Sequence, residues 1–204
     1  SNAVAGFSSE LPLPVFSVPG GVYTNPQIVE VSTKVAGGVV RYTRDGSEPT
    51  PRSPMITGAL TVAVRTANAH LSMIPTNDDP NPGPPYYEGW QPPLGDVFSF
   101  CTMRARVFAP GSSPGKTATR SFVISPDGLS RYSLPIVSII TDEKYFFGPN
   151  RGIYVKGRNN NYFQEGSTWE HPASLEMIDT NGVLQFQGDV GIRLHNATSV
   201  GLPR

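Results

Sequence analysis

Apolar and polar residues alternate along this chain in short runs, each closed by Gly, Pro, Asp or Ser. The sharpest run is Val39-Val40-Arg41-Tyr42-Thr43, which leads through Arg44 into Asp45-Gly46. It predicts a strand and a tight turn, because Gly tolerates positive φ and Asp hydrogen-bonds its own backbone. Pro49 then ends the pairing, having no N–H to donate. Asp45 and Glu48 lie close enough to be weighed as a metal or catalytic pair, but turn chemistry accounts for each residue type. Further strands are expected at residues 15–18, ahead of the Pro19-Gly20-Gly21 turn, and at 27–33, with Val29, Val31 and Thr33 on one face. Others fall at 60–64, at 103–109 and at 117–124. In the run from Met103, Met103, Ala105 and Val107 point inward, and Arg104 and Arg106 form a solvated face. Short strands separated by turn signals, about seven in all, are the pattern of an immunoglobulin-like β-sandwich.

The texture changes after Ser125-Pro126-Asp127-Gly128. Leu134-Pro135-Ile136-Val137-Ser138-Ile139-Ile140 reads as a strand buried on both faces. Thr141 is placed to cap a short helix over 142–147, with Asp142 and Glu143 favourable in its first turn and Gly148-Pro149 as its stop. Ile153-Tyr154-Val155 resumes a strand. Farther on, Leu184, Phe186, Val190, Ile192 and Leu194 alternate with polar neighbours around Gly188-Asp189, predicting a hairpin or bulged strand pair with one buried face. Arg193 and His195 share the opposite face, followed by Thr198, Ser199 and Arg204; from the residues alone this is a solvated strand end.

Residues 66–96 interrupt the strand pattern. Seven prolines between Pro75 and Pro93 exclude a continuous helix or central strand there. Loops of this length are uncommon in compact domains. Tyr86, Tyr87 and Trp90 within it form a candidate stacking platform for a sugar; the plainer reading is that the rings fold back over a sandwich edge with their polar tips wet.

Composition narrows the functional classes. Gly and Pro number 21 each among 204 residues, against an average of roughly 12% for the two together, so the chain is turn-rich without reaching the disordered range. Sixteen basic residues balance sixteen acidic ones with no run of like charge, which leaves no nucleic-acid footprint. Cys101, the single cysteine, cannot form an internal disulfide and reads as a packed residue. His70, His171 and His195 lack metal-ligand spacing, so no metal site is expected. Asn196-Ala197-Thr198 fits a glycosylation acceptor, a pattern that often arises by chance. No apolar run is long enough to span a membrane, and Ser1-Asn2-Ala3 resembles the scar of a removed affinity tag, so a missing leader carries no information on localisation.

Two resemblances add to this reading. Tyr42-Thr43-Arg44-Asp45-Gly46-Ser47-Glu48-Pro49-Thr50 resembles the Tyr-Thr-x-Asp-Gly-Ser-x-Pro-Thr run of the β-sandwich module at the C-terminus of chitobiase and β-hexosaminidase enzymes. Met103 to Ala109 with Gly111, Ser112 and Ser113 is similar to a later strand and turn of that module, and residues 117–123 to its last strand. In such enzymes the module is an accessory, so the resemblance implies no catalytic residue. The insert, with Leu71 to Thr76, Trp90, Pro92-Pro93, Gly95 and Val97-Phe98, looks like the version preceding spore-coat CotH-like domains. The second resemblance is to the opening of those domains. It is carried by Leu134-Pro135-Ile136-Val137-Ser138-Ile139 with Thr141-Asp142, Gly152-Ile153-Tyr154-Val155, Asn161-Tyr162-Phe163-Gln164, Trp169-Glu170-His171-Pro172-Ala173-Ser174-Leu175-Glu176 and Gly191-Ile192-Arg193-Leu194-His195. Members of that family resemble atypical secreted kinases. His171 stands where the family has Arg, and Asn196-Ala197 where it has Gly-Gly.

Together these give a mainly β chain: an immunoglobulin- or fibronectin-III-like β-sandwich followed by a partial α+β kinase-like N-terminal lobe. The expected divisions are scar and linker at 1–13, accessory sandwich at 14–125 with its Pro-rich insert at 66–96, linker at 126–133, and a truncated CotH-like segment at 134–204. The resemblance implies that a longer parent, secreted or on a bacterial cell surface, transfers phosphate from ATP with Mg²⁺ or Mn²⁺ to protein hydroxyls. On that view this chain carries no catalytic residue and needs no cofactor, and Arg193, His195, Ser199 and Arg204 are its phosphate-facing candidates. The alternative is a carbohydrate-binding or spacer module, with Tyr86, Tyr87 and Trp90 contacting a glycan.

Overall fold

The computed structural model describes residues 10–65 and 98–195. These residues are mainly β, arranged in several small sheets with one short α-helix. A four-stranded sheet has the order β2 (Gly21–Tyr23), β8 (Thr117–Ile124), β7 (Cys101–Phe108), β5 (Val39–Thr43). Its β2–β8 pair is parallel and the other two are antiparallel. Two small antiparallel sheets lie on one face of it: β1 (Val15–Phe16) with β4 (Val31–Ser32), and β3 (Gln27–Val29) with β6 (Leu60–Val62).

The expected single strand at 27–33 is broken, and the reason is local. At Glu30 the chain changes partners: its N–H donates to the Ser17 hydroxyl and its carbonyl accepts from the Ser17 N–H, carrying it from β6 to β1. Val29 and Val31 still share the inner side, as alternation predicts. They join Val62, Val40, Met103, Ala105, Val107, Phe122 and Ile124 in one buried core, and Cys101 packs there too.

On the other face of β8 sits a three-stranded antiparallel sheet, in the order β9 (Ile136–Ile140), β10 (His171–Ile178), β11 (Leu184–Ile192). Helix α1 (Glu143–Phe147) follows β9. Four expectations change in this region. First, β9 is an edge strand, not one buried on both faces: Ile136 and Ser138 face inward, whereas Val137 is 57% exposed. Second, Thr141 does not cap α1, because its hydroxyl donates to the Pro172 carbonyl at 2.6 Å and thereby ties the helix start to β10. Third, Ile153-Tyr154-Val155 is no strand but folds back along the helix, with the Ile153 and Tyr154 N–H groups donating to the Tyr145 and Phe146 carbonyls. Fourth, β11 is one strand with an irregularity beside Gln185, where Met177 pairs with Phe186 and Ile178 with Leu184; Gly188-Asp189 makes no kink. The described residues after 134 amount to this sheet, the short helix and tight turns, and show no kinase lobe.

Candidate functional site

Asp45 behaves as turn chemistry predicts. Its Oδ1 accepts from both the N–H and the hydroxyl of Ser47, and Gly46 takes a φ of 85°. Partial burial pushes the Asp45 carboxyl up, but the Ser47 bonds and the Arg104 charge outweigh it and hold the group below its ordinary range. The turn throws the following residues back across the outer face of the four-stranded sheet, where Pro49 is fully buried.

There Glu48 meets the arginines that the sequence placed on a solvated face. Arg104 is only 6% exposed; its Nη2 donates to Glu48 Oε2 at 2.6 Å and its Nη1 to the Gly46 carbonyl at 2.9 Å. Arg106 and the Thr117 hydroxyl both donate to Glu48 Oε1. A guanidinium offers five donors and no acceptor, so it is well suited to cross-link a turn to a strand it lies beneath. Alternation put Arg104 on the correct face. It missed the cover, because the covering residues come from a turn 56 positions away in sequence.

The same turn touches the second sheet. A Cβ on Gly46 would lie 3.1 Å from the Thr141 carbonyl oxygen, so glycine serves both the backbone angle and a close approach. Glu48, Arg104, Asp142, Lys144, Tyr145 and Pro172 line a small polar concavity at this junction. Its charges balance, with Lys144 paired to Asp142 at 3.3 Å.

From there a seam of hydroxyls runs along β8. The Thr119 hydroxyl donates to Ser174 Oγ at 2.9 Å, and Ser121 and Ser138 share a bond at 2.7 Å, all four buried. Beyond them Val123, Ile136 and Ile178 make a small apolar cluster that Phe98, Phe100 and Tyr132 help to cover. Glu176 sits within the seam, 1% exposed, with Oε1 accepting from Gln187 and Oε2 without a partner among the described residues. Burial drives its carboxyl up, and the Ser121 bonds and Arg120 charge offset only part of that. Gly20 is required alongside, since a Cβ there would stand 2.9 Å from Glu176 Oε1.

His171 belongs to the second sheet's outer side. Its ring stacks on Tyr145 at 4.5 Å, and Nε2–H donates to the Arg151 carbonyl at 2.9 Å. Burial lowers its pKa, more than the Arg151 bond raises it, so the residue works as a neutral packing and tethering group.

Of the phosphate-facing candidates, Arg193 and His195 are brought together. With Glu165, Gly166 and Leu194 they line an open, shallow concavity at the end of β11. Ser199 and Arg204 lie outside the described residues, as do the sugar-stacking candidates Tyr86, Tyr87 and Trp90. Among the described residues no His, Cys, Asp or Glu group forms a metal site, and no helix is long and apolar enough to cross a membrane.

No curated protein and no solved structure matches the chain. Residues 18–86 do match a family model, that of the chitobiase/beta-hexosaminidase C-terminal domain. The match starts ahead of β2 and takes in the Asp45-Gly46 turn with its clamping Glu48, so over this stretch the chain contains a module of the chitobiase/β-hexosaminidase C-terminal type.

Proposed function

We propose that this chain is an accessory platform: an immunoglobulin-like sandwich module whose Asp-Gly turn and hydroxyl seam hold the β9–β10–β11 sheet in a fixed orientation. The observation that carries this is the double use of the module's turn. Glu48 locks it to the module's own Arg104, while Gly46 packs on Thr141 at the start of the next region. A module built only as a flexible spacer has no need of two buried hydroxyls bonded to two on the neighbouring sheet, with that sheet's buried acid beside them. Gly46→Ala tests the reading by calorimetry. Denaturation of the parent chain is expected in one transition, with the variant's whole transition shifted down. Two independent transitions, only one of them moved by Gly46→Ala, would remove the platform reading.

A second reading concerns a longer parent protein, secreted or surface-bound, in which the sheet opens a CotH-like phosphotransfer domain using ATP with Mg²⁺ or Mn²⁺ on protein hydroxyls. What favours it here is the shared concavity of Arg193 and His195, two donors suited to a phosphate group, together with the sequence resemblance over 134–204. Calorimetric nucleotide titration of this chain beside a protein continuing past Arg204 tests it. Binding by the longer protein alone supports phosphotransfer. Binding by neither leaves the platform, and a glycan screen with a Trp90→Ala control then decides whether it carries sugar.

A further inference from the structure

We propose that β11 is a self-pairing edge: two copies of this chain join antiparallel across residues 186–190, with Gly188 on the two-fold axis, making one six-stranded sheet.

Among the described residues β11 pairs only with β10, so its other edge has no strand partner. A row of unpaired backbone N–H and C=O groups on a strand of nine residues is a template for another strand. Of the devices that blunt natural edges, β11 has no Lys and no Pro, and its one charge, Asp189, and its one irregularity, beside Gln185, leave residues 186–188 open on the outer edge.

Its polar and apolar character is also symmetric about Gly188 for two residues each way, Gln187 against Asp189 and Phe186 against Val190. Phe186, Gly188 and Val190 pair with Met177, Leu175 and Ala173 and share the outer face; Gln187 and Asp189 pair with Glu176 and Ser174 and share the inner one. Side chains directly opposite must share a face, so the two-fold axis falls on a residue and not between residues, and the registers with the longest overlap centre on 187, 188 or 189. Centring on Asp189 sets two carboxylates against each other, and centring on Gln187 sets Phe186 against a bare glycine. Centring on Gly188 places Phe186 opposite the partner's Val190, an aromatic on a β-branched residue, and Asp189 opposite the partner's Gln187. It alone avoids the carboxylate pair and gives Phe186 a bulky partner.

Gly188 has a visible part in this. A Cβ there would lie 3.0 Å from Phe186 Cζ, so the ring reaches over the glycine toward the axis. Phe186 is nonetheless 46% exposed. Across the axis the partner's Phe186 reaches back, and the two rings cover the glycine pair from opposite sides. The exposed row Val137, Met177, Phe186 would then continue into the second copy, as expected for an isologous contact.

Sedimentation equilibrium of the 204-residue chain over a concentration series tests this, beside Gly188→Lys and Phe186→Asn. A monomer–dimer equilibrium is expected, weakened roughly tenfold or more by either substitution, since each acts twice across the axis. Gly188→Lys puts two cations on the axis. Phe186→Asn removes exposed bulk and keeps the fold testable if lysine at 188 disturbs it. Unchanged thermal unfolding of the monomer would show that the loss is of pairing. A monomer at every concentration overturns the proposal, as does a dimer that neither substitution weakens.

Discussion

Strand β8 has two faces, and they hold the molecule together by different means. One carries Phe122 and Ile124 into the module's apolar core. The other carries Thr119, Ser121 and Val123 toward the β9–β10–β11 sheet, mostly through paired hydroxyls. Apolar contact is non-directional and scales with area, at roughly 25 cal/mol per Å². A hydrogen bond contributes only about 1 kcal/mol net but costs more when one partner is missing. The core face therefore supplies stability, while the seam supplies one permitted orientation. A strand alternating between the two fixes a module and its neighbour at once.

The strongest test of that contrast is on the core side. Phe122 has no exposed surface and lies beside the Tyr23 ring at 6.3 Å between centroids. Phe122→Ala should cost about 3–5 kcal/mol, read as a lower urea midpoint with unchanged slope. A loss no greater than that from the seam substitutions below would mean that area does not dominate there.

Next comes the clamp, which belongs to the outer face but is charged. Glu48→Ala leaves Arg104 buried with only the Gly46 carbonyl to accept from it, and should cost about 1–3 kcal/mol. Glu48 is itself 38% exposed at its side chain, so the damage comes from the stranded guanidinium more than from the lost ion pair. Arg104→Met removes the stranded charge as well, and Glu48→Ala added to it should cost little more. Full additivity of the two losses would show that the residues are not coupled.

Smaller effects are expected in the seam. Ser138→Ala leaves the Ser121 hydroxyl buried without its 2.7 Å partner, at a cost of about 1 kcal/mol. Adding Ser121→Ala should recover much of that, since two apolar methyls no longer bury an unmatched polar group. A double variant as unstable as the sum of the singles would mean that the hydroxyls are individually hydrated instead of paired.

What could be read from the sequence follows the same division. Period-two alternation named the core side of β7 without error, because Met103, Ala105 and Val107 are all fully buried. Asp45-Gly46 announced its turn because the signal is local. Alternation says which residues share a face but not what covers the face. Arg104 and Arg106 were thus taken as solvated, and β9 as buried on both sides, when a distant turn covers the first and nothing among the described residues covers Val137. Glu176 carried no sequence signal of its burial. A carboxyl between Leu175 and Met177 reads as the polar side of a strand until β8 is laid over it. Arg193 and His195 line one concavity because residues two apart on an extended segment share a face.

Glu176 gives the most discriminating test of the seam, though the smallest in size. Its folded pKa is raised above the ordinary 4.5 by burial, whereas Arg120 and the Ser121 bonds pull the other way and lose. Between 4.5 and that raised value the folded chain therefore holds a proton the unfolded chain has released. Stability linked to this group is intact below 4.5 and drains away as pH climbs through the window. Asp45 has the opposite sign in a separate range: its carboxyl is held below the ordinary 3.8, so its contribution is present above that value and lost as pH falls beneath it. Glu176→Gln keeps an oxygen facing Gln187 and Ser121 and removes the titration. The variant should show a flatter fall in unfolding free energy from about pH 4.5 upward, and should exceed the parent in stability at neutral pH. An unaltered slope would mean that water reaches the carboxylate, and the seam would then be a wet contact instead of a buried lock.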